Sequence, residues 1–232
     1  MKVILLAGGF GIRLSEYTKT IPKPMIKVGG RPMLIHIMKH YAKYGFKDFY
    51  IALGYKGEIV KKFFNKKFSD WNINLIETGE NTMTGGRLKR LEKFIGKETF
   101  MMTYGDGLSN VNLKKLLKFH NKKKKLVTLT AVRPPARFGA LKLKGHYVSS
   151  FKEKSKLDEG WINGGFFVFE PAALDFIAND ATLLEKEPLE QLAQSGELMA
   201  YQHSGFWQSM DTLRDKQALE RSLASGKVPW NV

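Results

Sequence analysis

The residues best suited to chemistry in this sequence lie in a glycine-rich turn and in a lysine shortly after it. Residues 8–14 contain three glycines and Arg13, and they follow an apolar run that begins at Val3. Because glycine lacks a Cβ atom, the backbone N–H groups of such a turn can approach phosphate oxygens closely. A guanidinium can bind phosphate through two hydrogen bonds, and Lys23, between two prolines, adds a second cation on a stiff segment. These residues predict a site for a phosphorylated ligand.

The turn matches neither of the two common fingerprints for nucleotide binding. A dinucleotide-binding turn needs glycine where Leu14 stands, and a P-loop ends in Gly-Lys-Ser or Gly-Lys-Thr, which this turn lacks. A tight connection between a strand and a helix, with Lys23 an ordinary exposed lysine, therefore remains an alternative. The combination of Arg13 and Lys23 favours the phosphate site.

Two aspartates are candidate ligands for a divalent cation. Asp106 lies between Gly105 and Gly107 after a predicted strand, and Asp211 directly precedes a predicted helix. Mg²⁺ in proteins typically takes one or two carboxylates together with substrate phosphates, so both aspartates are expected to converge on one site. Two structural alternatives stay open, since Asp-Gly is a common turn pair and an aspartate before a helix can be its N-cap.

Two further pairs of residues are suited to a sugar phosphate. In Glu153-Lys154 a carboxylate that can accept hydrogen bonds from hydroxyl groups stands beside an ammonium that can neutralise a phosphate. Asn163-Gly164 precedes another apolar run. Each pair also has a plain structural interpretation, as a solvated strand end and as a hairpin turn respectively.

The elements that must position these residues can be predicted from the spacing of apolar residues. Strands are predicted over residues 2–7, 48–53, 73–77, 99–104 and 126–132, and helices over 32–44, 58–66, 86–95 and 113–121. This alternation indicates βαβ units, and therefore an α/β fold of three layers with a mostly parallel central sheet. Ligands of such sheets bind at the carboxyl edge, where the glycine-rich turn and Asp106 are expected.

The pattern changes after residue 133 to an α+β extension. Strands are predicted over residues 138–143, 147–152, 166–170 and 198–202, and helices over 171–178, 185–194 and 212–224. No linker or repeat separates the two parts, so residues 1–232 are predicted to form one domain, with a nucleotide-binding half (1–132) and a sugar-phosphate-binding half (133–232).

The composition restricts the class of protein. The chain has 232 residues, no cysteine, and 38 Lys and Arg against 22 Asp and Glu, which gives a formal net charge of +16. The absence of cysteine excludes disulfides, thiolate metal sites and cysteine nucleophiles. The positive charge favours anionic ligands, but no nucleic-acid motif and no apolar run of membrane-spanning length accompany it. We therefore expect a cytoplasmic protein with phosphorylated small-molecule substrates and with neither nucleic acid nor membrane as a partner.

The sequence resembles the sugar nucleotidyltransferases, and among them the glucose-1-phosphate cytidylyltransferases. The family pattern Gly-Gly-x-Gly-Thr-Arg-Leu corresponds to residues 8–14, and its Pro-Lys-Pro-Met corresponds to residues 22–25. Further blocks match in order and spacing over nearly the whole chain: residues 84–90, 103–107, 137–141, 162–167 and 205–216. The resemblance implies a Rossmann-like nucleotidyltransferase fold.

The resemblance also implies an activity. CMP would be transferred from CTP to α-D-glucose 1-phosphate, giving CDP-glucose and pyrophosphate, with Mg²⁺ as cofactor. The protein would form a homo-oligomer. A related nucleotidyltransferase with another nucleoside triphosphate or another phosphorylated acceptor remains an alternative. A non-catalytic module that binds polyanions is a second one, although the presence of both aspartates argues against it.

The resemblance assigns a role to each matching residue. It implies that Arg13, Lys23, Asp106 and Asp211 are catalytic, and that the two aspartates hold Mg²⁺. The nucleotide would contact Leu6, Ala7, Gly8, Gly9, Gly11, Arg13, Lys23, Thr84, Gly85 and Arg87. The sugar phosphate would contact Gly139, Glu153, Lys154, Asn163 and Gly164. For Arg87 the alternative is a surface arginine in the first turn of a helix.

Three positions depart from the family pattern. Ile12 replaces a threonine, which is expected to alter affinity more than the class of reaction, because the turn acts mainly through its backbone N–H groups. Ser155 stands where the family has proline after its lysine. The connection over residues 68–72 is abrupt where the family carries an inserted segment, so subunit contacts or a lid formed there are expected to differ.

Overall fold

The centre of the molecule is a sheet of eight strands. The computed structural model describes residues 1–65, 70–134, 140–152, 160–226 and 228–230. Strands β6 (Phe100–Tyr104), β1 (Lys2–Leu6), β4 (Asp48–Leu53) and β5 (Asn72–Glu77) pair in parallel in that order, and β8 (Val127–Val132) and β13 (Leu198–His203) form a second parallel pair. The short strand β12 (Phe167–Phe169) joins the two groups, since it pairs antiparallel with both β6 and β8, and β11 (Ile162–Asn163) pairs antiparallel with β8 alone among the described residues. The prediction of a mostly parallel central sheet is confirmed.

The first half of the chain alternates strands and helices. Its elements are β1 (Lys2–Leu6), 3-10 helix Ile12–Leu14, α1 (Ser15–Thr18), 3-10 helix Lys23–Met25, β2 (Lys27–Val28), β3 (Arg31–Pro32), α2 (Met33–Lys43), β4 (Asp48–Leu53), α3 (Gly57–Phe64), β5 (Asn72–Glu77), α4 (Thr84–Arg90), α5 (Glu92–Ile95), β6 (Phe100–Tyr104), β7 (Gly107–Ser109), α6 (Leu113–Lys123) and β8 (Val127–Val132). The helix predicted over residues 86–95 is thus two helices, because the chain leaves regular helix at Leu91.

The second half adds strands to the same sheet and a separate hairpin. Its elements are β9 (Ala140–Lys144), β10 (Tyr147–Lys152), β11 (Ile162–Asn163), β12 (Phe167–Phe169), 3-10 helix Pro171–Phe176, α7 (Glu187–Gln194), β13 (Leu198–His203), β14 (Trp207–Ser209) and α8 (Leu213–Ala224). Strands β9 and β10 pair only with each other among the described residues. The α-helix predicted over residues 171–178 is a 3-10 helix that ends where Ile177 becomes extended.

Helices cover both faces of the sheet and produce the three layers. Val3 and Leu5 of β1 belong to one apolar core, with helices α2, α3, α6 and α8. Ile4 and Leu6 belong to the other, with α4, α5 and α7. Successive side chains of a strand point to opposite faces, so a strand buried on both faces is a continuous apolar run. This explains why β1 was recognisable from sequence.

Of the helices in the described ranges, none combines the length and the apolar character that a bilayer crossing requires.

Candidate active site

The glycine-rich turn follows β1 at the carboxyl edge of the sheet. It is held to the end of β4 by hydrogen bonds from the Ala7 N–H to the Ala52 carbonyl and from the Tyr55 N–H to the Gly8 carbonyl. Gly11 has φ of 64°, and a Cβ atom there would lie 2.8 Å from the Thr18 side chain. Both observations require glycine at this position. The 3-10 helix that begins after Gly11 places Arg13 at the surface.

Lys23 lies at the centre of a cluster of four charged side chains. Its ammonium is 2.7 Å from an Asp106 oxygen and 2.6 Å from an Asp211 oxygen. The Arg13 guanidinium is 2.9 Å from the same Asp211 oxygen. Lys23 is only 8% exposed, whereas the Arg13 side chain is 72% exposed. The predicted convergence of the two aspartates on one point is therefore present, and Lys23 occupies that point.

Two short strands bring the aspartates together. β7 follows Asp106 directly, and it pairs with β14, which ends two residues before Asp211. The Met210 N–H donates to the Asp106 carbonyl across this pair at 2.8 Å. The two carboxylates are thus placed by the backbone of a local two-stranded ribbon.

Asp211 does not cap the helix that follows it. Thr212 is the N-cap of α8, and it forms a capping box with Asp215. The Asp211 N–H also donates to the Asp215 carboxylate, at 3.1 Å. The N-cap interpretation of Asp211 is therefore wrong, and its carboxylate is available to Arg13 and Lys23.

The cluster shifts the pKa values of Lys23 and Asp211 in opposite directions. Burial alone lowers the pKa of Lys23, but the charges and hydrogen bonds of Asp106 and Asp211 outweigh it and raise that pKa above its ordinary value. Burial alone raises the pKa of Asp211, but its hydrogen bond from Lys23 and the charges of Lys23 and Arg13 hold that pKa below its ordinary value. Both groups are charged at neutral pH.

The two carboxylates fit a divalent cation of the magnesium type. Because oxygens of Asp106 and Asp211 both lie within 2.7 Å of one ammonium nitrogen, they converge on a single cation position. No group of three or more histidine, aspartate or glutamate side chains with metal-binding geometry occurs in the described ranges. Two carboxylates with remaining positions for phosphate and water suit Mg²⁺ better than they suit a metal held by protein ligands alone.

A cavity of about 520 Å³ adjoins the cluster. Its lining includes predicted nucleotide-binding and catalytic residues: Leu6, Ala7, Gly8, Gly9, Gly11, Arg13, Lys23, Thr84, Arg87 and Asp106. Gly85, which was also predicted to contact the nucleotide, does not line this cavity. Its N–H donates to the Thr182 carbonyl at 3.0 Å. A larger depression of about 770 Å³ is lined by Asp175 and Glu187 and by no lysine or arginine of the described chain, so it does not suit a phosphate.

Arg87 is buried beneath the glycine-rich turn. It is 3% exposed, so the alternative of a surface arginine is wrong. Its guanidinium donates to the Gly8 carbonyl at 2.9 Å and to the Leu53 carbonyl at 3.1 Å, and also to Thr78, Gly79 and Glu80. Burial lowers the pKa of Arg87. The residue thus supports the turn from below and also borders the cavity.

The predicted sugar-phosphate residues are only partly within the described chain. Gly139, Glu153 and Lys154 lie outside the described residues. The Asn163 side-chain oxygen accepts a hydrogen bond from the Gly165 N–H at 2.9 Å, and the Gly164 carbonyl accepts one from the Trp207 indole at 2.7 Å. β11 ends at Asn163 beside the carboxyl end of β8, so both residues lie at the same edge of the sheet as the cluster.

One residue at this edge had no signal in the sequence. Glu185 accepts hydrogen bonds from the side chains of Thr84 and Tyr104, both of which line the cavity. It belongs to no motif, and the contacts join positions 101 and 81 residues apart in the chain. Only the packing of the segment before α7 against α4 and β6 reveals it.

The chain is similar in sequence and in fold to known nucleotidyltransferases. The sequence model described as "Nucleotidyl transferase" matches residues 2–215. Glucose-1-phosphate cytidylyltransferases of Salmonella typhimurium and Salmonella typhi are each 49% identical over 253 positions, covering 99% of this chain and 98% of theirs. The crystal structure of a UDP-glucose pyrophosphorylase complexed with UDP-glucose superposes with a TM-score of 0.78 at 16% identity, covering 97% of this chain and 98% of that one.

The alignments with the two Salmonella proteins are longer than this chain, and the predicted departure near residues 68–72 stays a prediction. The 253 aligned positions exceed the 232 residues of this chain, so the Salmonella proteins carry residues that this chain lacks. The two predictions of a Rossmann-like fold and of a sugar nucleotidyltransferase are confirmed. The chain belongs to the nucleotidyl transferase family.

Proposed function

We propose that this protein transfers CMP from CTP to α-D-glucose 1-phosphate in the presence of Mg²⁺, giving CDP-glucose and pyrophosphate. The observation that carries the proposal is the bridging of Asp106 and Asp211 by Lys23 beside the glycine-rich turn. The choice of CTP and glucose 1-phosphate is supported by the names of the Salmonella relatives.

The turn and the cations would bind the triphosphate. Residues 8–11 line the cavity, where their backbone N–H groups would contact phosphate oxygens, and Arg13 stands exposed at its rim. Bound Mg²⁺ would neutralise phosphate charge and hold the triphosphate in a fixed orientation. Asp106 and Asp211 would hold that ion. Lys23, freed from the carboxylates, would then donate to the phosphates.

The chemical step needs positioning and charge neutralisation more than proton transfer. A phosphate oxygen of glucose 1-phosphate attacks the α-phosphorus of CTP, and the bond from that phosphorus to the oxygen of the leaving pyrophosphate breaks. The nucleophile is already ionised, so no general base is required. Attacking and leaving groups are both anionic, and Arg13 and Lys23 offset their repulsion.

The sugar 1-phosphate, which accepts the CMP group, would bind on the side of the charged cluster where β11 ends. The resemblance assigns Gly139, Glu153, Lys154, Asn163 and Gly164 to the sugar phosphate, with the lysine on the phosphate. We also propose that the protein is a cytoplasmic homo-oligomer with neither nucleic acid nor membrane as a partner, and light scattering coupled to size-exclusion chromatography measures the assembly.

The test is a survey of substrates. The protein is incubated with Mg²⁺, each ribonucleoside triphosphate or dTTP, and a panel of sugar 1-phosphates, and pyrophosphate is measured. A response to CTP with glucose 1-phosphate supports the proposal. A response confined to another pair favours the related nucleotidyltransferase, and salt-sensitive binding of nucleic acid without pyrophosphate release favours the binding module.

A matched pair of variants assigns the activity to this cluster. Asp106→Asn removes one of the two carboxylates and is expected to lower turnover by roughly 10²–10³-fold, since an electrostatic contact to the reacting groups is lost. Asp175→Asn alters an exposed aspartate that does not line the cavity and should leave turnover unchanged. Wild-type turnover in Asp106→Asn contradicts the proposed centre.

A further inference from the structure

Glu185 joins two walls of the cavity. The Thr84 hydroxyl, at the start of α4, donates to one carboxylate oxygen at 2.6 Å, and the Tyr104 hydroxyl, at the end of β6, donates to the other at 2.6 Å. Both distances fall in the range of hydrogen bonds from a hydroxyl to an ionised carboxylate. Leu183, two residues earlier in the chain, also lines the cavity. Glu185 is therefore held against two residues that line the cavity.

The carboxylate of Glu185 retains capacity for a further donor. A carboxylate offers about four lone-pair directions, and the two hydroxyl groups use two of them. Glu185 is exposed, and within the described ranges no lysine, arginine or histidine lies within ion-pair distance of it. Its negative charge therefore stands next to a cavity whose other charged lining residues include Arg13, Lys23 and Arg87. It repels phosphate, so the part of a ligand that it contacts is neutral and donates hydrogen bonds.

The order of the strands indicates which part that is. The glycine-rich turn follows β1, and Tyr104 ends β6, the next strand in the sheet on the side away from β4. Asp106 comes two residues after Tyr104. A ligand with its triphosphate on the turn and its reacting phosphorus at Asp106 therefore has its acceptor on the β6 side, where Tyr104, one of the two anchors of Glu185, lies.

We propose that Glu185 is a specificity-determining residue that accepts a hydrogen bond from a hydroxyl group of the sugar in the sugar 1-phosphate. This inference rests on the proposed function. Hydroxyl groups are the donors that a carboxylate recognises in sugars, and an unmatched carboxylate or hydroxyl costs more than the bond itself contributes. The same carboxylate accepts hydrogen bonds from Thr84 and Tyr104, so its position is set by the protein before the sugar binds.

The experiment compares KM values in three variants. Glu185→Ala removes the acceptor, Glu185→Gln keeps a neutral one, and Glu187→Ala alters an exposed carboxylate in the first turn of α7 as the control. Glucose 1-phosphate, its monodeoxy analogues, CTP and dCTP are varied in turn. The melting temperature of each variant is measured to verify that it is folded.

The expected result is a selective effect on the sugar. Glu185→Ala should raise the KM for glucose 1-phosphate about 10–100-fold and leave the KM for CTP within about twofold, with Glu185→Gln intermediate. For one deoxy analogue, wild type and Glu185→Ala should show similar KM values, because the contacted hydroxyl is missing. Three results would overturn the inference. Glu185→Ala could raise the KM for CTP alone, or it could raise the KM for every substrate equally. It could also raise the KM for CTP but not the KM for dCTP, which would place the contact on the ribose.

A binding measurement separates this inference from the proposed function. If wild type forms no CDP-glucose, the proposed function fails, and calorimetric titration of glucose 1-phosphate into wild type and Glu185→Ala still tests the residue. Binding that is weakened about 10–100-fold in Glu185→Ala supports it. Equal binding, or no binding to wild type, overturns it.

Discussion

Replacement of Lys23 by methionine tests whether the two aspartates share one cation position. Methionine keeps the length of the side chain and removes the ammonium that lies 2.7 Å from Asp106 and 2.6 Å from Asp211. Removal of one partner of a fully buried pair costs about 3–5 kcal/mol. Here Asp106 is 31% exposed, and Arg13 still contacts Asp211, so a loss of about 2–3 kcal/mol is expected. For a chain of this size that lowers the melting temperature by roughly 4–12 °C.

Divalent cations give the decisive part of this test. In Lys23→Met the two carboxylates lack their ammonium, so millimolar Mg²⁺ should bind them and restore much of the lost stability by mass action. In wild type the ion must compete with the tethered ammonium, and the same Mg²⁺ should raise the melting temperature less. Lys27→Met, at an exposed position of β2, serves as the control. If Lys23→Met is as stable as wild type and does not respond to Mg²⁺, the shared cation position is refuted.

Two further predictions concern stability away from the cluster. Burial, with smaller effects of Lys43 and His203, lowers the pKa of His40 to about 4. Below pH 6.5 the unfolded chain therefore binds a proton at His40 more readily than the folded chain does. The free energy of unfolding should fall by up to about 3 kcal/mol as the pH drops from 6.5 to 4. Urea titrations at several pH values should show a shallower decline for His40→Gln, and an unchanged slope would contradict the assignment. Gly86→Ala should destabilise the protein by roughly 1–3 kcal/mol, because a Cβ atom there lies 2.5 Å from the Asp180 backbone; a melting temperature equal to wild type would argue against that close packing.

The central sheet could be predicted because each of its main strands is an apolar run bounded by turn residues. β4 was predicted with the bounds that the structure gives it, Asp48–Leu53, and β1 differs by one residue at its end. The alternation of Val3 and Ile4 between two cores also explains why helices had to cover both faces. Runs of this kind are specified locally, and local patterns are what a sequence displays.

The placement of the two aspartates depends on pairing that a sequence does not display. β7 and β14 have three residues each, too short for a period to be recognised, and they pair over about a hundred residues of chain. The N-cap alternative for Asp211 could have been excluded from the sequence, however. Thr212 and Asp215 have the spacing of a capping box, which makes Thr212 the N-cap and leaves Asp211 outside the helix. Glu185 had no such pattern, since its two contacts come from packing alone.

The proposed function requires the four charged side chains of the cluster to be balanced both before and after ligands bind. Without ligands, Lys23 and Arg13 offset Asp106 and Asp211, so none of the four charges is left unmatched near the cavity. A nucleoside triphosphate brings more negative charge than one divalent cation offsets. If the carboxylates coordinate that cation as proposed, Lys23 and Arg13 would lose their partners and face the phosphates instead. Arg87, which has no carboxylate within ion-pair distance in the described ranges, would keep its positive charge under the turn. Binding would therefore exchange partners among charges already present, and the preorganised cations would need little rearrangement for the reaction.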